Sequence, residues 1–164
     1  MELKDYIGKP SGAGNIHLER GSVSRFARAV TDENPVYHNK NAAQEAGFDN
    51  CPLPPTWTFA SEFLGVWPED KPADPTNGAG NPLMKIIGNL MKSGGLILHG
   101  EQEFRHHQVP QCGETLHWEG KITDIYTKES KGKVMTFIKM ENEFTNSKGE
   151  PVITEIFNLI HRGA

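Results

Sequence analysis

Residues 32–38 carry the side chains best suited to acid–base chemistry in this chain. The segment contains Asp32, Asn34, Tyr37 and His38, with Pro35 after the asparagine. Carboxylates and imidazoles are among the groups that most often transfer protons in enzyme sites, provided that a rigid element holds them in place. Aspartate and asparagine before a proline are also ordinary turn formers, so the same residues fit a purely structural turn.

Helical patterns flank this loop on both sides. Apolar residues recur at helical spacing over residues 23–30, and Ser22 is the expected N-cap. The helix is expected to end at Asn34, because the residue before a proline avoids the helical conformation. A second short helix is predicted over residues 41–46, with Gly47 as its stop.

A third helical pattern, residues 56–64, is apolar nearly all round, which is typical of a buried helix. Trp57 and Phe63 are expected in the core. Residues 67–95 then form an insertion rich in proline and glycine, within which residues 83–91 predict a short helix. Long insertions of this kind are either mobile or functional.

From residue 96 onward the pattern becomes strand-like. Two turns separate the later strands, at residues 129–132 and 146–149. Helices followed by consecutive antiparallel strands predict an α+β fold in which the sheet packs on one buried helix. The predicted strands are residues 96–107, 115–126, 134–144 and 151–161, with an early strand around residues 16–19.

Length and charge exclude several classes of protein. The 164 residues predict a single domain over residues 1–164. A net charge of −4 leaves no footprint for nucleic acid. No apolar run approaches the roughly 20 residues that span a bilayer, and the first residues lack the apolar core of a signal peptide. Cys51 and Cys112 fit neither a disulfide framework nor a metal spacing, so a reducing cytoplasm is expected.

Three histidines fall on the first long strand. Strict alternation would put His99 and His107 on one face and His106 on the other. Their spacing matches no standard metal site, and no metal is expected.

The loop resembles the signature of the MaoC-like (R)-specific enoyl-thioester hydratases and dehydratases, a group of hot-dog proteins. In that family the sequence is Asp-x-Asn-Pro-aliphatic-His, then five residues, then Ala or Ser. Residues 32–36 match in register, and Ala43 matches when counting starts at position 37. Position 37, however, is tyrosine, and His38 comes one residue late.

Two interpretations follow for catalysis. In one, the site is degenerate and Tyr37 has replaced the catalytic histidine. In the other, His38 rotates into the role. The register of Ala43 favours the first. Asp32, Tyr37 and His38 are therefore the candidate catalytic residues.

A second motif, His99-x-x-Gln102-x-Phe104, resembles a strand in the N-terminal hot-dog half of two-part MaoC-like dehydratases, which are related to FAS1-type dehydratases and to two-subunit 3-hydroxyacyl dehydratases. The resemblance implies a hot-dog fold, with an antiparallel sheet wrapped around the helix of residues 56–64. It also implies an oxyanion donor at the Thr56 N–H group. The candidate substrate-binding residues are Asn34, Thr56, Trp57 and His99.

The resemblance leaves three functions open. The first is an (R)-specific enoyl-CoA or enoyl-acyl-carrier hydratase, or 3-hydroxyacyl-thioester dehydratase, whose incomplete site acts with a hot-dog partner in a homodimer or heterodimer. The second is a non-catalytic subunit that binds acyl thioesters. The third is a hot-dog thioesterase, for which the buried helix offers Glu62. Hydration implies no cofactor. The insertion is expected to cover the acyl chain, with a tunnel lined by Leu83, Ile86, Ile87 and Leu90.

Overall fold

The computed structural model describes residues 2–61 and 80–164. Within these residues five strands form one antiparallel sheet in the order β1-β3-β4-β5-β2. The α+β arrangement and the four long strands predicted from the sequence are confirmed. The strands are β1 (Pro10–His17), β2 (Leu96–His106), β3 (Thr115–Ser130), β4 (Lys133–Thr145) and β5 (Pro151–Arg162).

The first strand begins six residues earlier than the predicted residues 16–19. Its early part contains Gly12 and Gly14, which carry no side chain and so show no apolar alternation. Trp118 of β3 covers these glycines. A Cβ atom at Gly12 would lie 2.7 Å from Cη2 of Trp118. The glycines therefore allow a close approach of the indole ring, which local sequence does not reveal.

Both predicted hairpin turns are confirmed. Lys131 and Gly132 join β3 to β4, and both have positive φ, 52° and 73°, as a two-residue turn of this kind requires. Between β4 and β5 the side chain of Asn146 accepts a hydrogen bond from Lys148 N at 2.9 Å.

The described helices agree with the sequence in position, and the first helix differs from the prediction at both ends. The first helix starts after Glu19 rather than Ser22, and the Ser22 hydroxyl donates to Glu19 O at 2.9 Å. It ends before Asn34, because Thr31 takes a left-handed φ of 59°. Gly47 follows the second helix with φ of 93°, as predicted. The helices are α1 (Arg20–Ala29), α2 (Lys40–Glu45) and α3 (Pro82–Lys92), with short 3₁₀ turns at Leu3–Tyr6, Pro35–Tyr37 and Trp57–Ala60.

Only the start of the predicted helix over residues 56–64 can be compared. The described part is the 3₁₀ turn Trp57–Ala60, followed by Ser61. Glu62, Phe63 and the first part of the insertion, through residue 79, lie outside the described residues.

The core lies on the inner face of the sheet. One buried cluster joins α1 to the sheet around Trp57 and Phe144. Another packs α3 on the sheet through Ile86 and Ile122. Cys51 and Cys112, distant in sequence, are adjacent in the first cluster. Both are free, and burial together with the neighbouring Cys51 raises the pKa of the Cys112 thiol to about 12.

A bulge at Gly100 decides which side chains of β2 face inward. The register of β2 against β5 shifts between His99 and Glu101. After the shift His106 pairs with Ile153, whereas His99 pairs with Leu159. Since paired residues share a face, His99 and His106 lie on the same, inner face. The prediction that they lie on opposite faces is therefore wrong, because it assumed unbroken alternation.

Candidate functional site

The loop before α2 is built by side-chain hydrogen bonds to its own backbone. Asp32 Oδ1 accepts from Asn34 N at 3.0 Å, and Asn34 Oδ1 accepts from Val36 N at 3.2 Å. The second bond caps the turn Pro35–Tyr37. These are the local bonds that make aspartate and asparagine turn formers. They hold the chain so that residues 37 and 38 point in different directions.

Both ring nitrogens of His38 are used within the structure. Nε2 lies 3.0 Å from the main-chain oxygen of Asp32, and Nδ1 lies 2.8 Å from the hydroxyl of Ser24 on α1. A carbonyl oxygen can only accept, so Nε2 carries the proton, and the remaining lone pair at Nδ1 accepts from Ser24. No lone pair is left to activate water. This geometry argues against His38 as the base.

Tyr37 stands where the signature that the loop resembles has a histidine. Burial, and after it the negative charge of Asp32, raises the pKa of the Tyr37 phenol above its ordinary value of 10.0. The phenol therefore stays protonated at neutral pH. It can donate a hydrogen bond but is a poor general base.

The Tyr37 side chain lies in a groove of about 440 Å³, here called the Tyr37 groove. Its walls are mainly apolar, which suits an organic ligand better than an ion. Asn34 and Pro55 both line it, so the loop does face the segment that leads into the turn at Trp57. Asp32 is not among the described residues that line the groove. The lining is Asn34, Val36, Tyr37, Ala46, Phe48, Pro52, Leu53, Pro55, His106, Val109, Pro110 and Ile153.

Thr56 and Trp57 occupy different environments. Thr56 is exposed, and its main-chain N–H has no hydrogen-bond partner within the described residues. The neighbouring Trp57 N–H donates to Pro54 O at 3.0 Å. Trp57 is 0% exposed and lies in the core. Its side chain thus offers no surface to a substrate, whereas Thr56 remains accessible.

His99 belongs to a group of aromatic rings on the inner face. Its ring centroid lies 4.7 Å from that of Phe157 and 5.1 Å from that of Phe59. Phe59 and Phe157 also line a second space, of about 290 Å³, here called the Glu155 cavity. His99 therefore lies beside this cavity rather than in the Tyr37 groove.

The Glu155 cavity contains residues that the sequence analysis did not select. Glu155 is 2% exposed, and its Oε1 accepts a hydrogen bond from Gln102 Nε2. The available signals were a single acidic residue within the apolar strand β5 and Gln102 within the His-x-x-Gln-x-Phe motif. The lining is Ser11, Thr58, Phe59, Ser61, Leu83, Trp118, Met140, Asn142, Phe144, Glu155 and Phe157.

Residues 2–61 and 80–164 also bear on metal binding and on membrane insertion. Those residues contain no cluster of histidine, cysteine, aspartate or glutamate suited to a metal ion. None of the helices in that part of the chain has the length and apolar character needed to cross a membrane.

The model of the family described as the FAS1-like dehydratase domain region matches residues 5–155. The chain belongs to this family. The match includes both the loop of Asp32 and the strand of His99, the two segments on which the resemblance rested.

A relative by sequence is a UPF0336 protein of Thermobifida fusca. It is 29% identical over 161 residues, which cover 98% of this chain and 93% of the relative. The alignment therefore spans nearly all of both chains.

Two solved structures share the fold. One is a chain of the C-terminally truncated HadBC (3R-hydroxyacyl-ACP dehydratase) complex of Mycobacterium tuberculosis, with a TM-score of 0.65 and 19% identity, covering 95% of this chain and 97% of that one. The other is a chain of the ChsH1-ChsH2 complex of the same organism, with a TM-score of 0.72 and 20% identity, covering 96% and 85%. The predicted hot-dog fold is confirmed.

Proposed function

We propose that this member of the FAS1-like dehydratase family is the substrate-binding part of an (R)-specific enoyl-thioester hydratase or 3-hydroxyacyl-thioester dehydratase. Its substrate is an acyl thioester of coenzyme A or of an acyl carrier protein. The observation that carries the proposal is the environment of positions 37 and 38. His38 has both nitrogens bound to Ser24 and Asp32, and Tyr37 remains protonated in the groove.

Hydration needs groups that this loop only partly supplies. A base takes a proton from water as the water oxygen bonds to C3, and an acid delivers a proton to C2. Donors such as main-chain N–H groups stabilise the developing negative charge on the thioester oxygen. Here Tyr37 and Asn34 can hold the substrate by hydrogen bonds, and Thr56 N–H is accessible as a donor. The base comes from a partner.

The partner proposed is a second hot-dog subunit with an intact Asp-x-Asn-Pro-aliphatic-His loop. Strand β2 lies at an edge of the sheet. It exposes Leu96 and Leu98, at 51% and 39% of their surface. An exposed, apolar edge strand is normally covered by another chain or element. Both structural neighbours were solved as complexes, which supports pairing of this kind.

The test starts with the purified chain and crotonyl-CoA, with hydration followed by the loss of conjugated thioester absorbance. We expect the wild-type chain to be slow. A positioned base typically contributes about 10²–10⁴ in rate. Tyr37→His should therefore raise activity clearly, and addition of a hot-dog subunit with an intact loop should raise it further. Tyr126→His, on the outer face of β3, is the matched control and should change nothing.

One result would overturn this assignment. If the wild-type chain is already fast, and His38→Ala abolishes activity while Tyr37→Phe does not, His38 is the base. A second candidate is a non-catalytic subunit that binds acyl thioesters. It is favoured by the same observation, that both ring nitrogens of His38 are hydrogen-bonded within the chain. It predicts that Tyr37→His gains no activity while equilibrium binding of crotonyl-CoA is retained.

A further inference from the structure

A buried carboxylate lies on the inner face of the sheet, away from the loop of Asp32. Glu155 is 2% exposed and sits in β5 among apolar neighbours. Burying a carboxylate is costly unless hydrogen bonds compensate. Gln102 donates to its Oε1. The carboxylate is thus held in a fixed orientation, as a defined acceptor at the wall of the Glu155 cavity.

The same cavity contains hydroxyl groups that lack a partner within residues 2–61 and 80–164. Thr58 is 3% exposed, and its Oγ1 makes no hydrogen bond to those residues. Ser11 Oγ is also buried without a hydrogen-bond partner among them, and both residues line the cavity with Glu155. Buried polar atoms without partners are rare in folded proteins, so each one points to a missing partner. A ligand with its own hydrogen-bonding group would supply it.

The remaining walls determine what kind of ligand fits. Aromatic and aliphatic side chains, including Trp118, Phe144 and Phe157, line most of the rest. Among the described lining residues there is no lysine or arginine to neutralise an anion. The cavity, of about 290 Å³, therefore suits a short apolar chain that carries an uncharged hydroxyl or amide. A carboxylate on the ligand would be buried with no cation among the described lining residues to pair with it, which is costly.

The cavity is within reach of the Tyr37 groove. Ile153 lines the groove and Glu155 lines the cavity, two residues farther along β5 on the same face. Two residues of strand span about 7 Å. An acyl group whose thioester lies in the groove could thus extend into the cavity.

We propose that the Glu155 cavity receives the acyl group and selects acyl groups with a hydroxyl or amide over plain alkyl and carboxylated ones. This inference rests on the proposed function and deepens it by naming the substrate class. Glu155 accepts the ligand's hydrogen bond, and Thr58 either donates or accepts a second one. Both act on specificity and take no part in proton transfer to the substrate.

The test uses the full chain and three thioesters of N-acetylcysteamine with equal chain length: hexanoyl, hexanoyl with a hydroxyl on its terminal carbon, and adipoyl. Binding is measured by calorimetry and by the fluorescence of Trp118, with Trp118→Phe to assign the signal. We expect the hydroxylated probe to bind about tenfold more tightly than the hexanoyl probe, as one added hydrogen bond allows. The adipoyl probe should bind most weakly.

Variants test the two polar groups separately. Glu155→Met removes the acceptor at similar side-chain length and should reduce the preference for the hydroxylated probe about tenfold. Thr58→Val keeps the shape of the side chain and should reduce the preference for the hydroxylated probe severalfold. Glu129→Gln, in the exposed β3–β4 hairpin, is the matched control and should leave all three affinities unchanged.

The outcomes distinguish this inference from the proposed function. Equal binding of the hexanoyl and hydroxylated probes by the wild-type chain overturns the inference alone, whatever the variants do. Binding of none of the three probes overturns both. An adipoyl affinity equal to that of hexanoyl in the wild type overturns the selection of uncharged over carboxylated acyl groups.

Discussion

The hydroxyl of Ser24 lies 2.8 Å from Nδ1 of His38, so a side-chain hydrogen bond joins α1 to the loop that follows it. On its other side the His38 ring donates to the main-chain oxygen of Asp32. His38 therefore links the helix and the loop. Both of its ring nitrogens are occupied by these hydrogen bonds, which stabilise the loop.

Ser24→Ala should lower the free energy of unfolding by about 1 kcal/mol, because it leaves a half-buried ring nitrogen without its partner. Urea unfolding measures the loss. Ser147→Ala, in the exposed β4–β5 hairpin, is the control and should stay within about 0.5 kcal/mol of wild type. Equal stability of the two variants would mean that the Ser24–His38 bond contributes little.

Tyr37 should titrate above the ordinary tyrosine range, because burial and the charge of Asp32 raise its pKa. Asp32→Asn should lower that pKa only in part, since burial is the larger cause. The difference in tyrosinate absorbance between the wild type and Tyr37→Phe, followed against pH, isolates this group. If Asp32→Asn leaves the pKa of Tyr37 unchanged, the Asp32 carboxylate lies too far away to raise that pKa.

The same shift has a consequence for stability. A pKa that is higher in the folded than in the unfolded chain stabilises the fold fully below the unfolded value, near pH 10. The contribution is lost as pH rises through the folded value. Wild type should therefore lose stability more steeply than Tyr37→Phe in that alkaline range, and identical slopes would contradict the shift.

The chain should sediment as a dimer or larger, with β2 at the interface. Leu98→Lys places a charge on that edge and should shift the chain toward monomer, because edge lysines prevent strand pairing. Val134→Lys is the matched control, since Val134 is an exposed apolar residue at the start of β4. A wild-type chain that is a stable monomer at micromolar concentration would contradict pairing.

Ile86 should behave as a core residue rather than as part of a tunnel. It is 0% exposed and packs against the sheet, whereas Leu83 lines the Glu155 cavity. Ile86→Ala should destabilise the fold by about 2–5 kcal/mol. Met84→Ala, at an exposed position of the same helix, should cost far less. The assignment is wrong if the two variants unfold at the same urea concentration.

The sequence determined the elements that depend on local patterns. The β3–β4 and β4–β5 turns carry glycine or asparagine where the backbone needs them, and the long strands show the expected patterns, so both were predicted correctly. The family signature likewise identified the loop at Asp32 and the substitution at position 37. Strand β1 was only partly predicted, because glycines without side chains give no alternation.

Tertiary structure decided the features that depend on distant contacts. The bulge at Gly100 reversed the expected facing of His106, because it shifts the register of β2 against β5 by one residue. A Cβ atom at position 100 would lie 2.7 Å from Asn158 O of β5, so the close approach there requires a glycine. Hydrogen bonds with Ser24 and Asp32 occupy both ring nitrogens of His38. A hydrogen bond from Gln102 orients the carboxylate of Glu155 at the cavity wall. Each of these is a contact between segments that fold together in space, and residue spacing along the chain carries no information about which side-chain atoms will meet.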